Sequence, residues 1–255
     1  MIWAKRVVSI LLFLLLWELV ALSGIVPTEY FPTVPVIGRA LAGLVVSLEF
    51  LGELAVTWER TLVGLLLSIA LGLVLAIVAA RYETVRRMLE PLVEMLRGLP
   101  PPALVPLSIF AFGLGVKLYF FIIIFAAIWP VYISAANALS APEPVQVLTG
   151  RAFGCSVWEI LLRLSLPAAM PEIFTGIRLA AGVALLADVA AEMLAGNGGL
   201  GHLLYDAAFT LRTADMFAIM LVVGLSGLIL NLLVAASRRF FIGWHVQLAA
   251  MGEKT

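Results

Sequence analysis

The sequence predicts an all-α integral membrane protein, and three observations carry that expectation. Hydrophobic residues make up 63% of the 255 and charged residues only 13%, against about 25% charge in an ordinary soluble domain. Mean hydropathy is +1.12. Apolar runs recur along the chain at the length of about 20 residues that a membrane-crossing helix needs. Net charge is zero, so no basic balance points to nucleic acid. The single cysteine, Cys155, can form no internal disulfide, and the two histidines, His202 and His245, are too few for a typical histidine metal site.

Six spans follow in order. The first is Val7–Val26. Lys5 and Arg6 precede it, and Ala21-Leu22-Ser23-Gly24 resembles a signal-cleavage site. The apolar stretch continues past Glu18, so it is read as an uncleaved helix. The second span is Thr61–Ala80. The third, Leu89–Phe112, is interrupted by Arg97-Gly98-Leu99-Pro100-Pro101-Pro102. Lys117–Leu139, Pro171–Leu194 and Phe217–Phe240 complete the set. Val34–Gly52 holds only a short apolar core between Arg39 and Glu49 and reads as an external interfacial helix. Residues 1–52 thus form a first helix with its external segment, and residues 53–255 a core of five spans.

Charge placement orients the chain. With the N-terminus inside, Lys5, Arg6, Arg81, Arg86, Arg87, Arg151, Arg163, Arg238 and Arg239 are cytoplasmic, while Arg39, Arg60, Lys117 and Arg212 are external. This follows the positive-inside rule and places both termini in the cytoplasm.

Packing and polar residues share helix faces. Gly64, Ser68, Gly72, Ala76 and Ala80 recur every four residues and form one small-residue face, which admits a neighbouring helix. Gly176, Ala180 and Ala184 repeat the spacing and continue into Asp188 and Glu192. Ionisable residues in spans are costly and point to function by default. Arg97 and Pro100 lie in the proline break, where unwound backbone must be buried or line a cavity; Arg97 is either a pathway residue or an anchor. Asp188 and Glu192 lie near the outer end of their span, where they reach water. A gate or structural role suits Asp188. Arg178 snorkels toward its interface.

Between the fourth and fifth spans lies a polar island from Thr149 to Ala180. Pro144 opens a helix, Val145–Phe153 gives it about two turns, and Gly154 stops it. Ser156 and Glu159 have the spacing of a capping box that starts a second helix. That helix runs through Trp158, Ile160 and Leu161 until Leu166-Pro167 ends it, and Pro171 begins the next span. A short helix held at a corner suits a partner's groove. Arg151 offers fork-like hydrogen bonds to a carboxylate, and Phe153 an apolar plug.

Two other motifs lack their context. Gly196-Asn197-Gly198-Gly199-Leu200-Gly201 satisfies G-x-G-x-x-G, but it follows a membrane helix rather than a strand and reads as a helix stop with a tight turn. Gly224-Leu225-Ser226-Gly227 matches the G-x-S-G of rhomboid-like intramembrane serine proteases. That alternative needs a histidine within reach of the serine, and neither His202 nor His245 is suitably placed.

The island resembles the EAA motif of bacterial ABC-importer permeases. Leu148-Thr149-Gly150 stands at E-A-A, Gly154 at the glycine and Leu164-Ser165-Leu166-Pro167 at the closing I-x-L-P. The resemblance extends through Arg97–Pro102, Phe112-Gly113, Thr175-Gly176-Ile177-Arg178-Leu179, Ala191-Glu192-Met193 and Gly199-Leu200-Gly201. It looks most like the nitrate, sulfonate and taurine branch. It implies a type I importer fold in the bacterial inner membrane and a transport subunit without covalent chemistry. It also implies a pathway for a small anion such as a sulfonate, taurine or nitrate, with a pyrimidine vitamin precursor as the alternative solute. The implied partners are a second copy of the chain, two ATPase subunits that bind ATP and Mg²⁺, and an external solute-binding protein; this chain itself holds no cofactor. Leu148, Thr149, Gly150, Arg151, Ala152, Phe153 and Gly154 become the ATPase-coupling segment, within a coupling helix at about 145–155. Arg97, Pro100, Asp188 and Glu192 become the pathway candidates. Leu148 replaces the family's acidic residue, and Glu143 and Glu159 occupy other helical faces.

Overall fold

The structure is a computed structural model describing residues 2–140 and 144–241, with side chains for 7–140 and 144–238. Glu143 and His245, and the side chains of Lys5, Arg6 and Arg239, lie outside what is described. Among the described residues every regular element is helical. The helices are α1 (Ile2–Leu22), α2 (Val34–Val45), α3 (Leu48–Arg81), α4 (Glu83–Arg97), α5 (Val105–Phe112), α6 (Val116–Ser140), α7 (Pro144–Ala152), α8 (Val157–Glu159), α9 (Leu166–Ala195), α10 (Leu200–Phe209) and α11 (Thr213–Phe241). A 3₁₀ turn, Pro101–Leu104, precedes α5, and a π-helical turn, Ile160–Ser165, joins α8 to α9.

Three sequence expectations need correction. The second span starts at Leu48, because the Ser47 hydroxyl caps the Phe50 N–H and Glu49 sits in the positive first turn. No proline interrupts the chain from there to Arg81, so Gly52 belongs to α3 rather than to the interfacial helix, which ends at Val45. The third span is broken at its expected Arg97–Pro102 interruption, but its first arm starts at Glu83 rather than Leu89 and is not uniformly apolar. α4 carries ion pairs along its length, Arg86 and Arg87 to Glu83 and Arg97 to Glu94, and it meets Pro101–Phe112 at 93°. Finally, Leu166-Pro167 does not end a helix. Proline lacks an N–H and crowds the carbonyl four residues back. The wide π turn just before it accommodates the ring, and Val157–Ala195 runs on as one segment of 39 residues.

Among the described residues, four helices are long and apolar enough to cross a membrane, and the bent pair makes a fifth. Val7–Leu22 of α1 is a shorter apolar stretch. With that stretch counted beside them the described residues come close to the expected six spans, without matching the number by length and composition alone.

The chain divides into two compact units, through both of which α3, α9 and α11 pass. One comprises Met1–Trp58 with Glu192–Leu225. Its core is Phe50, Leu200, Ala207 and Ile219, packed by Leu54, Leu203 and Val222. Trp17 stacks on Phe31 at 4.2 Å and meets Phe217 edge-on at 5.2 Å. Glu18, a charge within the first apolar run, accepts the Val34 N–H at 2.8 Å and so caps α2.

The other unit comprises Glu59–Ala191 with Ser226–Thr255. Here α6 is the central helix: Leu118, Ile122, Ile123, Ala127, Val131 and Ala135 have no exposed surface. The two small-residue faces pack on it. A Cβ on Gly64 would stand 2.5 Å from Ile123, and one on Gly176 would stand 2.6 Å from the Pro130 carbonyl oxygen. Arg178 donates to Asn231 on α11 at 2.8 Å, so it has a protein partner in addition to its exposure.

The Gly176 contact yields a prediction. An alanine there meets backbone, which cannot swing aside, so Gly176→Ala should cost about 1–3 kcal/mol despite better helix propensity. Gly182→Ala on the same helix meets nothing within 4 Å and should be neutral or stabilising. Thermal melts in detergent compare the two; equal melting temperatures would contradict the packing described.

Candidate functional site

The proline break shapes a cleft of 610 Å³ in the second unit. Arg97, Gly98, Leu99 and Pro101 supply one wall, α6 supplies Phe125, Trp129, Pro130 and Ser134, and α9 supplies Leu179 and Val183. Pro100 is exposed between two lining residues. Three successive prolines remove the N–H groups that would continue a helix, which is why the chain turns there. Arg97 is about half exposed and is held by Glu94 at 2.6 Å. The Trp129 indole N–H is buried with no acceptor among the described residues. The cleft therefore offers the Arg97 guanidinium with its Glu94 carboxylate, an indole donor and a serine hydroxyl within otherwise apolar walls. Glu94 and Trp129 were not singled out in the sequence; a carboxylate three residues before Arg97 was the available signal for Glu94.

The segment expected to couple, Leu148 to Gly154, folds much as its residues dictate. α7 closes with the Cys155 N–H on the Gly150 carbonyl (2.9 Å) and the Gly154 N–H on that of Arg151 (3.0 Å). This paired closure requires a left-handed residue, supplied by Gly154 at φ +77°. Gly150 is buried, and a Cβ there would stand 2.9 Å from Ile160. Thr149 turns its hydroxyl back to the Val145 carbonyl at 2.8 Å. Arg151 and Ala152 face outward, with Leu148 65% and Phe153 83% exposed. The capping box is present: the Ser156 N–H reaches Glu159 at 2.9 Å and the Glu159 N–H reaches the Ser156 hydroxyl at 3.3 Å. The result is a rigid corner with an apolar, unsatisfied face.

Asp188 and Glu192 do not reach water; both are fully buried. In the second unit, Thr61 donates to Asp188 at 2.7 Å. In the first unit, Glu192 accepts the Thr57 hydroxyl at 3.0 Å and the Gly201 N–H at 2.9 Å. The Leu200 N–H donates to Thr57 at 2.8 Å, and the Gly199 N–H donates to Glu53. The opening N–H groups of α10, which have no partner within the helix, are thus satisfied by side chains of α3 and α9. Gly196, Gly198 and Gly199 all have positive φ. The G-x-G-x-x-G stretch is a turn wrapped on carboxylates, which bears out its reading as a helix stop. Glu53, Thr57 and Thr61 were missed in the sequence, though stepping back by fours from the Gly64 face would have reached the neighbourhood. Ser226 is buried at 3% within α11, consistent with a packing residue.

Helices throughout the described residues, a proline-broken cleft and an exposed corner helix are features of a membrane transport subunit. Residues 68–242 match the model of the binding-protein-dependent transport system inner membrane component, and the chain belongs to that family. It is the permease subunit of an ABC importer, a multi-pass inner-membrane protein and a transport component rather than an enzyme. Such permeases work with an ABC ATPase and a solute-binding protein.

Among its relatives, a Methanocaldococcus jannaschii protein bearing the name of an ABC transporter permease is 32% identical over 220 residues, covering 85% of this chain and 82% of its own. The taurine transport system permease of Escherichia coli is 32% identical over 193 residues, covering 76% and 70%. An inward-facing structure of the MetNI methionine ABC transporter shares the fold, with a TM-score of 0.61 at 18% identity over 72% of this chain and 92% of that one.

The buried carboxylate bonds can be tested singly. Thr57→Val keeps shape but leaves Glu192 short of a donor and the Leu200 N–H without its acceptor. A loss of about 1–3 kcal/mol is expected, with Thr57→Ser close to wild type. A valine variant that melts with the wild type would show that these bonds do not hold the glycine turn.

Proposed function

We propose that two copies of this chain form the pathway of an importer for a small organic or inorganic anion. The cleft beside the proline break carries this reading: Arg97 meets the anionic group, Trp129 and Ser134 add donors, and apolar walls exclude water around them. The taurine-system relative and the nitrate, sulfonate and taurine character of the sequence support the same solute class. In this reading two ATPase subunits bind ATP and Mg²⁺ on the cytoplasmic side, where both termini also lie. The α7 corner, Leu148 to Gly154, sits in the ATPase groove. Asp188 and Glu192 hold the neighbouring helices as structural or gate residues and do not touch the solute.

A second observation favours a zwitterionic solute within that class. Arg97 is already paired with Glu94, so the cleft presents both signs of charge. An aminosulfonate would satisfy both, sulfonate on Arg97 and ammonium on Glu94, whereas nitrate would compete with Glu94 for the guanidinium.

Arg97→Gln provides the test. Removing one charge-assisted contact should lower solute uptake about tenfold or more, with assembly and basal ATPase activity retained. Uptake at the wild-type level would remove Arg97 from the pathway. Loss of expression or thermal stability instead would make it an anchor. Competition between taurine and ethanesulfonate in the wild type separates the zwitterionic reading from the simple anionic one.

A further inference from the structure

A second, smaller pocket of 150 Å³ lies where the end of α3 meets α7 and the π turn. Arg81, Arg151 and Ser165 line it together with the apolar Val147, Ile160 and Leu161. Among the described residues neither arginine pairs with a carboxylate. Their neighbours differ: Arg86 is bridged to Glu83 and Glu90, and Arg163 to Glu159. The Arg81 guanidinium is held 4.9 Å over the Tyr82 ring and 5.8 Å from that of Trp158, and its Nε is buried with no acceptor. Ser165 is 6% exposed, and its hydroxyl makes no hydrogen bond among the described residues.

Two like charges on one small pocket repel each other, and a buried unmatched donor is costly. An anion between them relieves both. The space admits a tetrahedral oxyanion, since one water needs only roughly 10–15 Å³ of the same measure. Arginine forks match phosphate oxygens in pairs. The height also fits: Arg81 ends a helix long and apolar enough to span a membrane, and Tyr and Trp side chains mark the headgroup level.

We propose that this pocket binds a phosphate group, carried by a lipid headgroup or free in solution. Bound there, it bridges Arg81 on α3 to Arg151 on α7 and ties the corner helix to the membrane end of α3. The site is separate from the Arg97 cleft, and its occupancy is read by binding, so failure of the solute assignment leaves it untouched.

The full chain, purified in a neutral, phosphate-free detergent, is titrated with inorganic phosphate, dioctanoyl phosphatidylglycerol and uncharged dioctanoylglycerol. A saturable rise in melting temperature with either phosphate probe, and none with dioctanoylglycerol, is expected. A response to the lipid alone identifies a headgroup, and a response to both identifies any phosphate. Arg81→Gln should weaken binding about tenfold or more, and Ser165→Ala should weaken it less. Arg163→Gln, which alters a charge outside the pocket, should leave it unchanged. If Arg81→Gln does not fold, Arg81→Lys keeps the charge without the fork and should still weaken binding. Three results overturn the proposal: no response to either phosphate probe, equal loss in Arg163→Gln, or pocket variants that bind as wild type. Silence toward both probes combined with weaker ATPase capture by Arg81→Gln would assign the pocket to a partner's carboxylate instead.

Discussion

In a bilayer a polypeptide finds no water for its N–H and C=O groups, so each must be satisfied by the protein itself. Regular helix achieves this without help, and most of this chain is regular helix. The departures from it are therefore few, and each needs a compensating arrangement. At residues 98–100 the chain loses helical bonding beside three prolines and borders a cleft. At Gly154 it reverses after α7, and a paired set of backbone bonds closes the corner. At Gly196–Gly201 it turns between α9 and α10, where Thr57, Glu53 and Glu192 take up the exposed N–H groups. The pathway and coupling candidates cluster at these irregularities.

The central packing depends on the complementary constraint. Helices in lipid gain little from burying apolar surface against one another, so close approach matters more. Gly64 and Gly176 bring α3 and α9 onto α6 closer than a Cβ allows, and Gly72 packs tightly on Val131 beside them. α6 contains Pro130, whose carbonyl Gly176 approaches, and the same proline lines the Arg97 cleft. Contacts that fix the helices thus also define a wall of the cavity.

Much of this was legible in the sequence because membrane composition, small-residue spacing and capping chemistry are local signals. The Ser156–Glu159 box, the Gly154 reversal and the two small-residue faces needed no tertiary information. What escaped did need it. Asp188 and Glu192 were placed in water because they lie near a span end, yet Thr61 and Thr57, more than a hundred residues away, bury them. Pro167 reads as a stop unless a π turn precedes it, and nothing local announces that turn. Arg86, Arg87 and Arg97 were read as single charges, and their pairing with Glu83 and Glu94 along α4 was not. Leu148 was legible as a departure from the family pattern, and it stands exposed beside Phe153.

In the proposed coupling, α7 and its corner pass the partner's motion to α9, to which they connect through the capping box and the π turn. Cys155, the only cysteine in the chain, lies at that corner and is partly exposed. A thiol crosslinker between Cys155 and a cysteine placed in the groove of the cognate ATPase measures the contact in the assembled transporter. The account predicts efficient crosslinking whose yield changes when ATP replaces the nucleotide-free state. No crosslink in any nucleotide state, in a complex that still transports, would contradict it.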